Sequence, residues 1–389
     1  MPAHPHQLGC PHDARAAGLA DAAARLRRHT WPGGAAQETH LARRRGSGDT
    51  PGPAARPAVR SALAHRIEDL RYFESTKQHP WTDASSGRSV LRGGTPMDLG
   101  TFGIYTFDFE HQPAALIRDS VRQLEDLGWR ALWIPEALGR DAFTHAGLLL
   151  SAGRRLTVVN GIARIWSREA RWTKGAATLL ADAYPGRHVL GLGFGGEPRP
   201  GVKPLAAMAA YLDELDTLET PNPGPATPVR RLLAAYGPKM LELARDRADG
   251  AHTYHVSTAH TAQAREILGP DAFLAVEHAV LFESDAVKAR AVAREHLHGY
   301  LATPYNLAKF RRLGYTDDDL SGGGSDRFVD DLVFWGDPDT VVRKLRGHLD
   351  AGADHVAVQV IGVEPGASAL PYWRLLAEAL LPERAPVSG

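Results

Sequence analysis

From Met97 onward the chain alternates strand-like and helix-like segments eight times, and no other feature limits its possible folds so strongly. DLGTFGIYTF reads as the first strand. QPAALIRDSVRQLEDLG follows it, with Ile117, Val121 and Leu124 recurring on one helical face and Gly128 at the stop. RALWIPEA and RLTVVNGIARIW are the second and third strands, and RHVLGLGFGG the fourth. VRRLLAAYG, AHTYHV, AFLAVEHAVLF and DHVAVQVIG are the fifth to eighth. A segment of helical period follows each one. Residues 300–352 add helical material, including PDTVVRKLRGHLDAG, between strands seven and eight. The strands are apolar almost throughout, as a parallel sheet covered on both faces requires. Eight strand–helix pairs over roughly 250 residues predict an α/β chain folded as a (β/α)8 TIM barrel. An open doubly wound sheet is the alternative.

Residues 1–96 stand outside this alternation. They are rich in Pro, Gly, Ser, Ala and Arg and carry 14 Lys/Arg against 8 Asp/Glu, whereas residues 97–389 carry 31 against 37. A segment of that composition cannot bury enough apolar surface to offset its chain entropy, so residues 1–96 are expected to be a disordered basic extension. Met97 opens MDLGTFGIY directly, which reads as a start site preceded by an over-extended frame. The barrel domain is then 97–389. Its acidic balance argues against nucleic-acid binding. No run approaches the roughly 18 apolar residues of a membrane helix, and no secretion signal is present. The only cysteine is Cys10, so the body has neither a disulfide nor a thiol nucleophile. A cytoplasmic enzyme acting on a small molecule, without nucleic-acid or membrane partners, fits these features.

The stretch YPGRHVLGLGFGGEPRPGVKP tests whether a dinucleotide fold is present. A Rossmann turn needs a helix to begin inside the glycine run, so that a pyrophosphate meets its amino end. Pro198, Pro200 and Pro204 prevent any helix before about residue 204. Gly191, Gly193, Gly195 and Gly196 sit instead where the fourth barrel strand opens into its loop, and bare backbone there admits a ring or phosphate. The same rule selects Glu136 after strand two, residues 161–166 after strand three, residues 237–240 after strand five and the surroundings of Val256. Gly237, Pro238, Lys239 and Met240 have the form of a helix start, with proline in the first turn and amides free for an anion. His145 and Glu197 are further acid/base candidates. No His, Asp and Glu set has metal-ligand spacing, and G-x-S-x-G is absent.

LGWRALWIPEA, LTVVNGIARIW, YPGRHVLGLGFGG, YGPKMLELARDRADG and GDPDTVVRKLRGHLDAGADHVAVQV, in that order, resemble the luciferase-like monooxygenase superfamily. The resemblance is to its branch of deazaflavin oxidoreductases that use coenzyme F-420, and it spans Met97 to about Glu383. It implies a bacterial-luciferase-like barrel, hydride transfer to or from F-420 on a small organic substrate, and a homodimer. It implies a cofactor bed of Gly161, Ile162, Ala163, Arg164, Gly191, Gly193, Gly195, Gly196, Gly237, Pro238, Lys239 and Met240, with Glu136 as the catalytic carboxylate. A non-proline cis peptide between Gly161 and Ile162 is also implied. The sequence departs from the family at residues 136–138, where EAL stands in place of the light-emitting Glu-His-His. Ala137 leaves no histidine to act as base there. Two other readings remain open: an FMN-dependent monooxygenase that consumes oxygen, and a non-catalytic cofactor-binding barrel.

Overall fold

The computed structural model describes residues 97–196 and 199–381. The extension read from residues 1–96 and the candidate Glu197 lie outside them. Eight parallel strands close into a ring: β1 (Phe102–Tyr105), β2 (Ala131–Ile134), β3 (Thr157–Asn160), β5 (His188–Gly193), β6 (Arg230–Ala234), β7 (Gly250–Thr253), β8 (Phe273–Leu281) and β10 (His355–Val360). β10 pairs with both β1 and β8, which completes the barrel and excludes the open sheet. All eight expected strands are present. Two short ones are added: β4 (Ala163–Arg164) lies against β5, and β9 (Val333–Trp335) lies against β8. Strands of two or three residues are too short to carry a readable period.

The strand alternation sorts side chains into two cores. Tyr105, Trp133, Val159, Val189, Leu232, Ala275 and Ala357 fill the barrel interior. Ile104, Leu132, Val158 and Leu190 face outward and pack with Ile117, Val121 and Leu124 of α1 (Ala114–Leu127) in the shell between sheet and helices. The helix ends at Gly128 in the left-handed conformation (φ 96°), where a residue without a Cβ is unstrained.

The interior is unusually polar for a barrel core. Trp133 Nε1 donates to His355 Nε2 at 2.9 Å, and His355 Nδ1 lies 2.7 Å from the Gly100 carbonyl. The ring must therefore accept at Nε2 and donate at Nδ1, which only the neutral imidazole can do. Burial agrees, holding His355 down at about 4. Space for that ring comes from Gly103, where a Cβ would lie 2.8 Å from two of its atoms.

The remaining helices follow the strands in turn: α2 (Ala142–Ala152), α3 (Ala170–Ala183), α4 (Pro204–Thr217), α5 (Pro238–Arg247), α6 (Thr258–Leu268) and α7 (Ala286–Leu301). Helix α4 starts at Pro204, as the proline run demands. The expected insertion comprises α8 (Pro304–Arg312), α9 (Asp317–Leu320), α10 (Asp326–Leu332), β9 and α11 (Pro338–Asp350). It has a small core of its own, in which Phe310, Tyr315 and Phe328 meet edge-on. Helix α12 (Leu370–Leu380) closes the order. No helix among the described residues is long and apolar enough to cross a membrane.

Candidate active site

Two cavities open at the carboxyl ends of the strands, where barrel loops meet. The first, of about 270 Å³, is floored by Tyr105, Gly161, Ile162 and His252 and walled by Phe107, Phe194, Tyr254 and Tyr300. The second, of about 540 Å³, runs along Gly237, Pro238, Lys239 and Met240, with Leu205 and Arg312 on its sides. Phe194, Ala234, Tyr236 and Tyr305 line both, so the two chambers adjoin.

The floor is set by the exit of β3. The Gly161-Ile162 peptide bond is cis, as the resemblance implied. The Tyr105 hydroxyl donates to the Gly161 carbonyl, and Gly161 N–H donates to the Ile134 carbonyl at 2.8 Å. A Cβ on Gly161 would lie 2.8 Å from the Tyr105 ring, so glycine is required by the ring that supports it. Burial, with the nearby charge of Glu277, raises the Tyr105 phenol well above its ordinary value and keeps it a neutral donor.

Glu136 lines the first cavity, but its oxygens are occupied. Arg168 grips both of them, and the Arg164 amide donates to Oε2 at 2.6 Å. Arg168 also reaches Asp141 at 2.9 Å. The Arg164 guanidinium in turn donates to the Gly195 carbonyl. Glu136 thus organises two loops: it holds the β3 exit, whose Arg164 holds the β5 exit.

The other predicted positions divide. Gly161, Ile162, Gly195 and Gly196 line the first cavity, and Gly237, Pro238, Lys239 and Met240 the second. Gly195 and Gly196 have φ of 66° and 133°, conformations that disfavour any side chain. Gly191 and Gly193 lie behind the floor. A Cβ on Gly191 would fall 1.9 Å from the Asn160 carbonyl oxygen, and one on Gly193 2.8 Å from Ile162. Their smallness seats the β3 exit against β5 and does not expose backbone to the cavity. Ala163 is fully buried in the shell core, and Arg164 is spent on Gly195. His145 packs on Phe109 under α2, outside both cavities, with burial lowering it to about 4. Trp133 is interior, and Trp166 packs at a tilt against Phe194 with ring centres 5.3 Å apart.

Sequence reasoning missed the aromatic wall and its polar neighbours. Tyr105 and Phe107 close β1, Tyr236 follows β6, and His252 and Tyr254 belong to β7 and its exit. The strand-end rule was not applied to strand one, and at strands five and six it selected residues 237–240 and the surroundings of Val256 without singling out Tyr236, His252 or Tyr254. Tyr300, Tyr305, Asn306 and Lys309 come from α7 and α8, and no local signal marks them. His252 stacks on Trp133 with ring centres 4.6 Å apart, and burial lowers it to about 3, so it presents a neutral ring.

Comparison with known proteins agrees with this architecture. Residues 97–215 match the sequence model of the luciferase-like monooxygenase family. A Mycobacterium tuberculosis protein provisionally named a coenzyme F-420-dependent oxidoreductase is 24% identical over 319 residues, which are 64% of this chain and 91% of that protein. The fold is similar to the coenzyme F-420-dependent tetrahydromethanopterin reductase of Methanopyrus kandleri (TM-score 0.57, 17% identity, 72% of this chain and 97% of that one). It is also similar to an F-420-dependent secondary alcohol dehydrogenase bound to an F-420–acetone adduct (TM-score 0.57, 13% identity, 72% and 98%). An FMN-bound type II Baeyer–Villiger monooxygenase of Pseudomonas putida is a further likeness (TM-score 0.52, 16% identity, 73% and 100%). The family match begins at Met97 and the same closed barrel lies beneath it, so from Met97 onward this chain is similar to the luciferase-like monooxygenases in sequence over residues 97–215 and in fold over the barrel.

Proposed function

We propose that the protein is an oxidoreductase that moves hydride between deazaflavin coenzyme F-420 and a small organic substrate. The observation that carries this reading is the junction of two unlike chambers. One is aromatic-walled over a backbone floor, and the other begins at a helix amino terminus. Such a pair suits a planar ring with a long anionic tail. Helix α5 has no side-chain cap at Gly237, so its first-turn dipole faces the second chamber without an internal partner. Lys239 and Arg312 add positive charge there. The names of the Mycobacterium relative and of two similar structures support F-420 over other ring cofactors.

When bound, a deazaflavin supplies a two-electron hydride donor or acceptor. The protein's own part is placement and exclusion of water. Gly161, Ile162, Gly195 and Gly196 would lie against the ring, and residues 237–240 against the tail. The Tyr105 hydroxyl fixes the Gly161 carbonyl, while Glu136 acts as a positioning residue through Arg168 and the Arg164 amide. Phe107, Phe194, Tyr236, Tyr254 and Tyr305 keep the cavity apolar, which strengthens every charge interaction inside it.

The FMN-bound structure gives the competing reading its observation. The test is a fluorescence titration of purified protein with F-420 and with FMN, followed by oxygen-electrode measurement with the reduced form of whichever binds. Tighter binding of F-420 and no oxygen uptake are expected. Tighter binding of FMN with substrate-dependent oxygen consumption would replace this reading by the monooxygenase, and binding of neither below about millimolar, some 4 kcal/mol, by the non-catalytic barrel.

A further inference from the structure

Beneath the first cavity lies a set of contacts that cofactor placement does not use. Lys309 of α8 is 7% exposed, lines the cavity, and donates from Nζ to the carbonyl of Tyr254. The N–H of the same peptide group, that of His255, donates to Glu277 Oε2 at 3.3 Å. One amide plane therefore joins a buried amine to a buried carboxyl. At that junction His255 adopts φ 49°, the one positive φ of a non-glycine residue among those described. Side-chain-bearing residues hold that conformation only where their surroundings enforce it. Glu277 points into the barrel from β8 and is 0% exposed, and its Oε1 has no hydrogen-bond partner. Neither Lys309 nor Glu277 belongs to any ion pair among the described residues. Lys309 Nζ lies instead 5.4 Å from the centre of the Tyr236 ring and 5.2 Å from that of Phe310.

We propose that Lys309 is the acid/base residue of this cavity, exchanging the substrate's proton, and that Glu277 poises it through the peptide joining Tyr254 to His255. The proposal rests on the oxidoreductase reading for the reaction it serves. In the oxidising direction a substrate O–H or N–H gives its proton to the unprotonated Lys309 Nζ. The adjacent C–H bond breaks, its electron pair leaves as hydride to the deazaflavin, and a C=O or C=N bond remains. The reducing direction returns the proton from the ammonium and the hydride to carbon. Two electrons and one proton are accounted for in each direction.

The surroundings favour this exchange. Burial raises the Glu277 carboxyl to about 8 and lowers the Lys309 amine to about 7, while each group's charge favours the charged form of the other. A single proton can then sit on either group without changing the charge of the pair. The other titratable groups facing them are neutral near pH 7. They are Tyr105 of β1, Tyr254 and His255 after β7, His260 of α6, His296 and Tyr300 of α7, and Tyr305 of α8. Burial raises the phenols of Tyr105, Tyr254, Tyr300 and Tyr305 and lowers the imidazoles of His255, His260 and His296. The chemistry selects an alcohol or amine, or the corresponding carbonyl or imine, small enough for an aromatic-walled pocket.

The test needs no substrate. In the full chain, acetylation of Lys309 by acetic anhydride is followed against pH by peptide mass spectrometry, with exposed Lys288 as internal standard. Lys309 should titrate with a midpoint near 7, and Glu277→Gln should move that midpoint down, because the fraction of Glu277 that is ionised as pH rises toward 8 supports the ammonium. A midpoint at or above about 10, no labelling at any pH, or no response to Glu277→Gln would overturn the proposal. Lys309→Gln, checked for folding by its melting curve, should bind F-420 within about threefold of wild type. A loss beyond about tenfold would make Lys309 a cofactor anchor and equally overturn it. Failure of wild type to bind F-420, with Lys309 still titrating near 7, would count against the oxidoreductase reading and leave the poised amine supported.

Discussion

Gly193 shows how a single missing methyl can shape a cavity it does not touch. A Cβ there would lie 2.8 Å from Ile162 Cγ1 and 2.9 Å from the Ala234 Cβ, and Ile162 and Ala234 both line the first chamber. Gly193→Val should therefore drive Ile162 toward the ring position. Overpacking of this kind costs about 1–3 kcal/mol of stability, and F-420 affinity should fall at least about tenfold, near 1.4 kcal/mol. Thermal melting and fluorescence titration measure the two effects. Unchanged affinity would show that the β3 exit is not part of the cofactor bed. The glycine run was legible in the sequence as a site of close approach. What approaches was not, because Asn160 and Ile162 lie about thirty residues earlier and only the register of β5 beside β3 brings them there. Glu136 was likewise legible as a strand-end carboxylate, but its partner Arg168 is visible only once the β3 loop has folded back.

At the scale of elements, hydrophobic period was enough to read all eight barrel strands and most helices, since burial on one face or two writes itself into spacing. Closure of the ring rests on a tighter fit. Gly103 of β1 leaves room for the His355 ring of β10, whose two nitrogens tie Trp133 to the Gly100 carbonyl. Gly103→Ala would press a methyl to 2.8 Å from that ring and 3.0 Å from the Ala131 Cβ. The expected cost is about 1–3 kcal/mol, a fall in melting temperature of roughly 2–10 °C. A melting temperature within a degree of wild type would show that the interior yields easily. Helix α7 was foreseen as the partner of strand seven, and α8 only as insertion material. Period tells which side of a helix is apolar, not which loop it covers, so Tyr300, Tyr305 and Lys309 could not be assigned to the cavity from sequence.

The whole molecule stores many imidazoles in neutral form. Burial holds His145, His188, His296, His348 and His355 at about 4 and His252 at about 3, all below the ordinary 6.5. The unfolded chain therefore takes up protons first as pH falls, so their contribution is intact above 6.5 and is lost from 6.5 down to about 4. Glu277, raised to about 8, acts in the opposite sense: its protonated form favours the fold below the ordinary carboxyl value, an advantage lost as pH rises toward 8. At pH 5.5 each imidazole costs on the order of 1 kcal/mol, and together they outweigh that single carboxyl. Differential scanning calorimetry should show the melting temperature falling by more than about 10 °C between pH 7 and 5.5; a flat profile would mean the imidazoles are solvated. The claim on which the functional reading depends is that one ligand spans both chambers, ring in the first and anionic tail along residues 237–240. Its most direct measurement is the affinity of F-420 beside that of the same deazaflavin without its phosphate and glutamates, for wild type and Lys239→Ala. Wild type should bind the complete cofactor at least about tenfold more tightly, near 1.4 kcal/mol, and Lys239→Ala should erase most of that difference while leaving the tail-less affinity unchanged. Equal affinity of wild type for both compounds would contradict the two-chamber site.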